Sequence, residues 1–428
     1  MMPTSKYKLI IPLGIAVCLS SVGDLSLFAG LVTRLDVVGI SLAQVGIILS
    51  IHRLIRIPAN PLAGFLLDRF GRRRPLFIFG MVLAVASSAA YGLVHGFMPF
   101  LLARLAWGVA WMLVNITGIT MVLDLSSPDT RGRLSGLYNT GIWAGYAIGP
   151  LLGGFLVDSF AFRNAMLMCA AISAAGLLVV VFLLPETAPA RTAHSEMPVI
   201  TNLDFQKRLK GFISNWLDLL RDYPESRIVL VLFCFTQFAG DGIMLSSMVL
   251  LLSSRFGDTI SIGSLVYGVA TASGALLALR SVLAAVTGPL AGRVSDSWLG
   301  RPLVISVSFS LGILSFVILA FSVGIPWVLA GILLGALSGG ALLSALTAYM
   351  GDHIPAEKLG SGMGLFATAG DVGSTFGPLV AYSLVAVVDL KWVYLLSAFV
   401  FVAGLALSWR QASALLAASE QQNDSPPL

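Results

Sequence analysis

Residues 61–74 read Pro61-Leu62-Ala63-Gly64-Phe65-Leu66-Leu67-Asp68-Arg69-Phe70-Gly71-Arg72-Arg73-Arg74. The stretch closes one long apolar run, 43–67, and opens the next, 75–95, through an acidic residue, a glycine and three consecutive arginines. Two apolar runs of about 20 residues joined by a short basic turn are the pattern of two membrane helices meeting at an anionic lipid face. The rest of the chain agrees. Of its 428 residues 57% are apolar and 11% charged, with a mean hydropathy of +0.91. A soluble globule carries roughly twice that charge, so one is excluded. At roughly 30 to 35 residues per span and connection, the length holds about a dozen spans. Glycine at 44 and proline at 19 suit a close-packed helical bundle, and the long apolar runs argue against a β-barrel of short alternating strands. The expectation is an all-α membrane protein with 12 transmembrane helices.

The spans read as 9–33, 43–67, 75–95, 97–123, 135–159, 163–184, 227–253, 268–292, 302–322, 325–350, 361–388 and 391–411. The first is too long for the apolar part of a signal peptide and is read as a retained helix. Of the 26 Lys and Arg, eighteen fall in loops on the side of the N-terminus, and only Arg34, Arg163, Arg255 and Lys391 fall opposite. That bias predicts both termini in the cytoplasm and explains a pI near 9.2 without nucleic acid. The expected organisation is a six-helix bundle over 1–184, a cytoplasmic linker over 185–226, a second bundle over 227–411 and a polar cytoplasmic tail over 412–428. Within the linker, Phe205, Leu209, Phe212, Trp216, Leu219 and Leu220 stand at helical spacing beside Lys207, Arg208 and Lys210, as in a basic helix on the membrane surface. Cys18, Cys169 and Cys234 lie inside apolar runs and read as small hydrophobes rather than as a disulfide or metal set.

The chain repeats itself. Pro61-Leu62-Ala63-Gly64 returns as Pro289-Leu290-Ala291-Gly292, an offset of 228. At that offset Gly145, Gly149, Pro150 and Leu151 return as Gly373, Gly377, Pro378 and Leu379, and Asp124 as Asp352. Three matches at one register predict two pseudo-symmetric halves of six helices. The run from Gly64 through Asp68, Arg69, Gly71, Arg72 and Arg73 resembles the G-x-x-x-D-R-x-G-R-R signature of the major facilitator superfamily, between its helices two and three. The copy from Gly292 to Asp296 and Gly300-Arg301 is longer by one residue. The resemblance implies a conformational latch on the cytoplasmic side, with Asp68 facing the start of span eleven and Arg72 paired with Asp124. Arg104, Trp107, Gly108 and Trp111 in span four resemble the family's R-x-x-x-G pattern. Span five, with Gly145, Gly149, Pro150, Gly153 and Gly154, is a full match to G-x-x-x-G-P-x-x-G-G. That pattern is similar to the one in the 12-helix drug/metabolite:proton antiporter group and implies export in exchange for protons.

Charges inside the spans are the candidate site residues, because each costs a few kcal/mol facing hydrocarbon. Asp24, Asp241 and Asp371 are candidates for carrying the coupling proton. Arg53, Arg56, Arg104 and Arg280 are candidates for the substrate cavity, where they suit a carboxylate or phosphate. Counting about 1.5 Å per residue, Asp24 and Arg53 lie roughly 14 and 15 Å below the outer ends of their spans, and Asp241 and Arg280 roughly 18 Å. Each half is thus expected to hold one carboxylate–arginine pair, either neutralising buried charge or coupling protons to transport. His52 reads as a hydrogen-bonded core histidine more than as a proton carrier. Trp111, Asn115, Trp143 and Tyr146 either line the cavity or pack helices. No phosphate-binding glycine loop and no nucleophile-and-base constellation can be placed, so neither a primary pump nor an enzyme is expected. The reading is a proton-coupled secondary transporter working by alternating access, exporting a small amphiphilic or anionic molecule. Its rivals are proton-symport uptake of an organic anion and a non-transporting receptor or assembly factor on the same fold. It implies no cofactor beyond the proton as coupling ion, a small-molecule substrate, membrane lipids as partners, a monomer, and a place in the bacterial inner membrane.

Overall fold

The computed structural model describes residues 4–60, 67, 72–127, 130–187, 211, 214, 216–297, 300–355 and 358–423. Twelve long helices account for most of them. They are α1 (Thr4–Gly30), α2 (Leu42–Asn60), α3 (Arg74–Leu93), α4 (Phe97–Leu125), α5 (Arg131–Ser159), α6 (Phe162–Leu183), α7 (Pro224–Phe256), α8 (Val269–Ser297), α9 (Gly300–Ala320), α10 (Ile325–His353), α11 (Leu359–Val385) and α12 (Leu390–Asn423). Eleven of the twelve are long and apolar enough to cross a membrane. The exception, α11, has 27 residues and so is long enough at about 1.5 Å per residue. Its many glycines and Asp371 lower its hydropathy, because its glycine face meets another helix instead of lipid. Between α7 and α8 a hairpin of β1 (Thr259–Ile262) and β2 (Leu265–Gly268) pairs Thr259 with Gly268 and Ser261 with Val266.

The helix ends follow from local chemistry. Ser41 and Gln44 form a reciprocal capping box at the start of α2, which satisfies amides that the first turn leaves open. Proline stands in the first turn of α3, α7 and α10, where its missing N–H costs nothing. In α7 the ladder changes register over Phe238–Met244, a π-helical turn holding Asp241 between Gly240 and Gly242.

By its contacts the chain forms two compact units. The first joins Met1–Ile213 with Leu245–Ser281, and the second joins Ser214–Met244 with Val282–Leu428. Inside the first, α1 packs along α5 and α6, α3 against α4 and α6, and α2 against α4. Inside the second, α7 packs on α11, and α9 on α10 and α12. The pairs α1/α5, α3/α4 and α3/α6 therefore return as α7/α11, α9/α10 and α9/α12, so the repeat seen in the sequence is also a repeat of packing.

Glycine makes these contacts close. A methyl at Gly149 would overlap Leu25, and one at Gly153 would overlap Ser26, both on α1. In the second unit a methyl at Gly373 would meet the Cys234 carbonyl, and one at Gly377 the backbone of Gly242. Such approaches let small-residue helices gain dispersion contact that lipid cannot offer.

Candidate functional site

The site is built on Arg104, a fully buried arginine of α4. Its guanidinium carries five donors and no acceptor, and three other helices supply what it binds. Nη1 is paired with the Asp24 carboxylate of α1 and lies 3.3 Å from the Tyr91 hydroxyl of α3. Nε donates to the Ile48 carbonyl of α2 at 2.9 Å. Nη2 lies 2.5 Å from Nδ1 of His52, also on α2. Because a guanidinium can only donate, His52 Nδ1 is an acceptor here and the ring proton is on Nε2. The R-x-x-x-G pattern has a geometric cause. Gly108 lies one turn below Arg104 on the same face of α4, and a methyl there would overlap the His52 carbonyl. Without a side chain at 108, α2 comes near enough for Arg104 to reach Ile48 and His52.

Beside this cluster is a small pocket of about 20 Å³, lined by Ser21, Asp24, Leu25, His52, Arg53, Arg56, Trp107, Trp111 and Tyr146. The volume suits a water molecule or the end of a functional group. Trp107 and Trp111 stack at 6.2 Å, one helical turn apart, and Trp143 lies 6.1 Å from Tyr146. The structure thus brings together five of the sequence candidates, Asp24, Arg53, Arg56, Trp111 and Tyr146, and sets Arg104 directly behind them. Trp143 is held at the edge through Tyr146, and Asn115 lies one turn further along α4 outside the lining. Arg280 is buried in α8 of the first unit, and Asp371 is buried in α11 of the second. Asp241 occupies the π-turn of α7.

Depth arithmetic matches Asp24 with Arg53, whereas the structure gives Asp24 an ion pair with Arg104. The missing signal was the true end of α1, which stops as a helix at Gly30 and continues as a 3₁₀ turn. Measured from Gly30, Asp24 lies roughly 9 Å deep, and Arg104 roughly 10 Å from the start of α4 at Phe97. Tyr91 and the Ile48 carbonyl carried no sequence signal, since an aromatic and a backbone oxygen inside apolar runs look like packing.

The glycine motif of span five has two faces. Gly145, Gly149 and Gly153 face α1, meeting Ser21, Leu25 and Ser26. Gly154 and Pro150 face α8, where methyls at Gly154 and Gly274 would overlap the Ala270 and Pro150 carbonyls respectively. One helix thereby has closely fitted contacts on two sides.

At the end of the first unit that carries the arginine turn, the expected Arg72–Asp124 pair is not formed. Arg73 makes it instead, with Nε 3.2 Å from Asp124 Oδ2, while Arg72 is exposed. Arg73 immediately precedes α3, so its side chain reaches back across the end of α4, and its Nη1 donates to the Leu67 carbonyl at 3.0 Å. Glu186, missed in the sequence, accepts from the backbone N–H of Arg73 at 2.9 Å and of Arg74 at 3.3 Å. A carboxylate suits those open amides and the positive helix end. In the second unit Arg301 Nε lies 2.6 Å from Asp352, and Nη2 3.5 Å from Asp296. Gly64, Asp68, Arg69 and Gly71 lie outside the described residues, as does most of the expected surface helix in the linker.

The profile of the Major Facilitator Superfamily matches residues 13–281 and 270–425. Multidrug resistance protein MdtG of Dickeya zeae (strain Ech586) is 29% identical over 85% of this chain and 83% of its own length. The class B tetracycline resistance protein of Escherichia coli is 25% identical over 78% of this chain and 77% of its own. Among solved structures, a bacterial homolog of the human lysosomal transporter Spinster, in an inward-facing and occupied conformation, aligns over all of both chains. Its TM-score is 0.71 at 14% identity.

Proposed function

We propose that this chain, which belongs to the Major Facilitator Superfamily, is a proton-coupled secondary transporter that exports small amphiphilic or anionic organic molecules by alternating access. It is a multi-pass integral membrane protein of a transporter family, not an enzyme. The observation that carries the finer reading is the buried Asp24–Arg104 pair at the wall of a pocket that also holds Arg53 and Arg56. An ion pair in a membrane core is costly unless both groups are satisfied. A carboxylate that can exchange its arginine for a proton gives the fold a means of coupling. Export is supported by the glycine motif of α5 and by the multidrug and tetracycline resistance named in two relatives. Both termini in the cytoplasm, with 1–184 and 227–411 as the two rocking halves, complete the proposal.

Proteoliposomes with an imposed pH gradient test it, using a panel of cationic and anionic amphiphiles. Substrate accumulating against its gradient as protons run the other way is the expected result, and Asp24→Asn should abolish it while sparing passive exchange. Full pH-driven accumulation in Asp24→Asn would falsify the coupling role. One observation favours a second reading: among the described residues of the pocket and the cluster behind it, three arginines stand with one carboxylate, which suits an anion moving with protons. Accumulation in the direction of the proton gradient would select that reading.

A further inference from the structure

At the end of α5 remote from the arginine turn, Asp158 reaches the first turn of α8. Its Oδ2 accepts from the Thr271 backbone N–H at 2.7 Å and from the Thr271 hydroxyl at 2.6 Å. Helix α8 starts at Val269 and runs for 29 residues, so the carboxylate stands at the positive end of a long helix and satisfies one of its open amides. A helix is normally capped by the side chain just before its first turn. Here that residue is Gly268, which has none, and a methyl at Gly268 would itself overlap the Asp158 carboxylate. The cap therefore comes from another helix, and α8 keeps it only while α5 is docked.

The docking is extensive. Below Asp158, Gly154 lies against the Ala270 carbonyl and Gly274 against that of Pro150. Further in, Ser281 Oγ donates to the Tyr146 carbonyl at 3.3 Å, and Tyr146 lines the Asp24 pocket. From this end, then, the pocket lies behind the α5–α8 seam, and Asp158 stands at the seam's mouth.

We propose that Asp158 is a gate latch: it caps α8 in trans, and opening this end of the transporter requires that cap to be given up. The proposal rests on the transport reading above, whose orientation puts this end outside. A purely static cap would add stability without favouring one conformation, and the test separates the two. Spin labels go on Phe160→Cys and Val266→Cys, both exposed positions, in a background of Cys18→Ala, Cys169→Ala and Cys234→Ala. Distances are measured by pulsed electron resonance in lipid nanodiscs. Asp158→Ala should raise the long-distance population about fivefold, the size of effect that loss of a helix cap gives. Asp158→Asn keeps an acceptor oxygen without the charge, and Thr271→Val keeps the amide without the hydroxyl, so both should shift it less. If Asp158→Ala does not fold, those two variants carry the test. A distribution unchanged from the parent, whatever happens to the melting temperature, overturns the latch. Uptake assays on the labelled parent are scored separately: a parent that moves no substrate sinks the transport reading, whereas a transporting parent with unmoved distances sinks only the latch.

Discussion

Arg104 holds together four helices with one side chain, and its partners differ in what their loss would do. Arg104→Ala would leave Asp24 charged, buried and without its guanidinium, a change that typically costs about 3–5 kcal/mol. Its melting temperature in detergent should fall sharply, and adding Asp24→Asn should restore part of the loss. If the double variant melts no higher than Arg104→Ala, the pair is not what Arg104 is there for. Arg104→Lys tests geometry: the charge survives, but one ammonium cannot serve Asp24, Ile48 and His52 together. At the other end of the unit, Arg73→Ala should slow transport while Arg72→Ala leaves it near the parent rate, since only Arg73 reaches Asp124. Equal effects of the two would undo the corrected pairing. That correction was within reach of the sequence, because the 228-residue offset that carries Asp124 to Asp352 also carries Arg73 to Arg301, which binds Asp352. The resemblance to the family signature points instead to Arg72, and a one-residue ambiguity in a turn is what pattern reading resolves worst.

Helix α5 shows how one motif serves two neighbours. Gly153→Ala would press on Ser26 within the α1–α5 contact, an overpacking of about 1–3 kcal/mol, and should lower the melting temperature in every conformational state. Gly154→Ala presses on Ala270 instead, so it should favour separation of α5 from α8, read as greater reactivity of a cysteine placed at Ala270 toward a membrane-impermeant thiol reagent. Gly136→Ala, on the same helix with open space around it, should be neutral or slightly stabilising. A Gly136→Ala as damaging as Gly153→Ala would show that the contact with α1 is not what makes Gly153→Ala costly. In the second unit Gly242→Ala at the π-turn meets the Gly377 backbone, and a comparable loss is expected there. The ten-residue glycine spacing announced a close-packing helix, yet which glycine faced α1 and which α8 depended on the crossing of the neighbours, and spacing alone does not carry that.

For the molecule as a whole, the charge bias predicts that cysteines placed in 185–226 stay unlabelled by impermeant reagents in sealed cells. Efficient labelling there would reverse the orientation and the sense of export with it. The fold class, the helix count, the repeat and the membrane setting were determined by the sequence itself. The physical reason is that lipid permits only helices and closed barrels, whose backbones are satisfied, so that the length and spacing of apolar runs leave few alternatives. The candidate residues were legible too, since a charge inside such a run is too costly to be incidental. Which arginine meets Asp24, and that Asp158 caps a helix more than a hundred residues on, were decided by tertiary structure alone. Those partners are set by where helices end, how they rotate about their axes and how near glycine lets them come, and each is a relation between segments that no single stretch of sequence encodes.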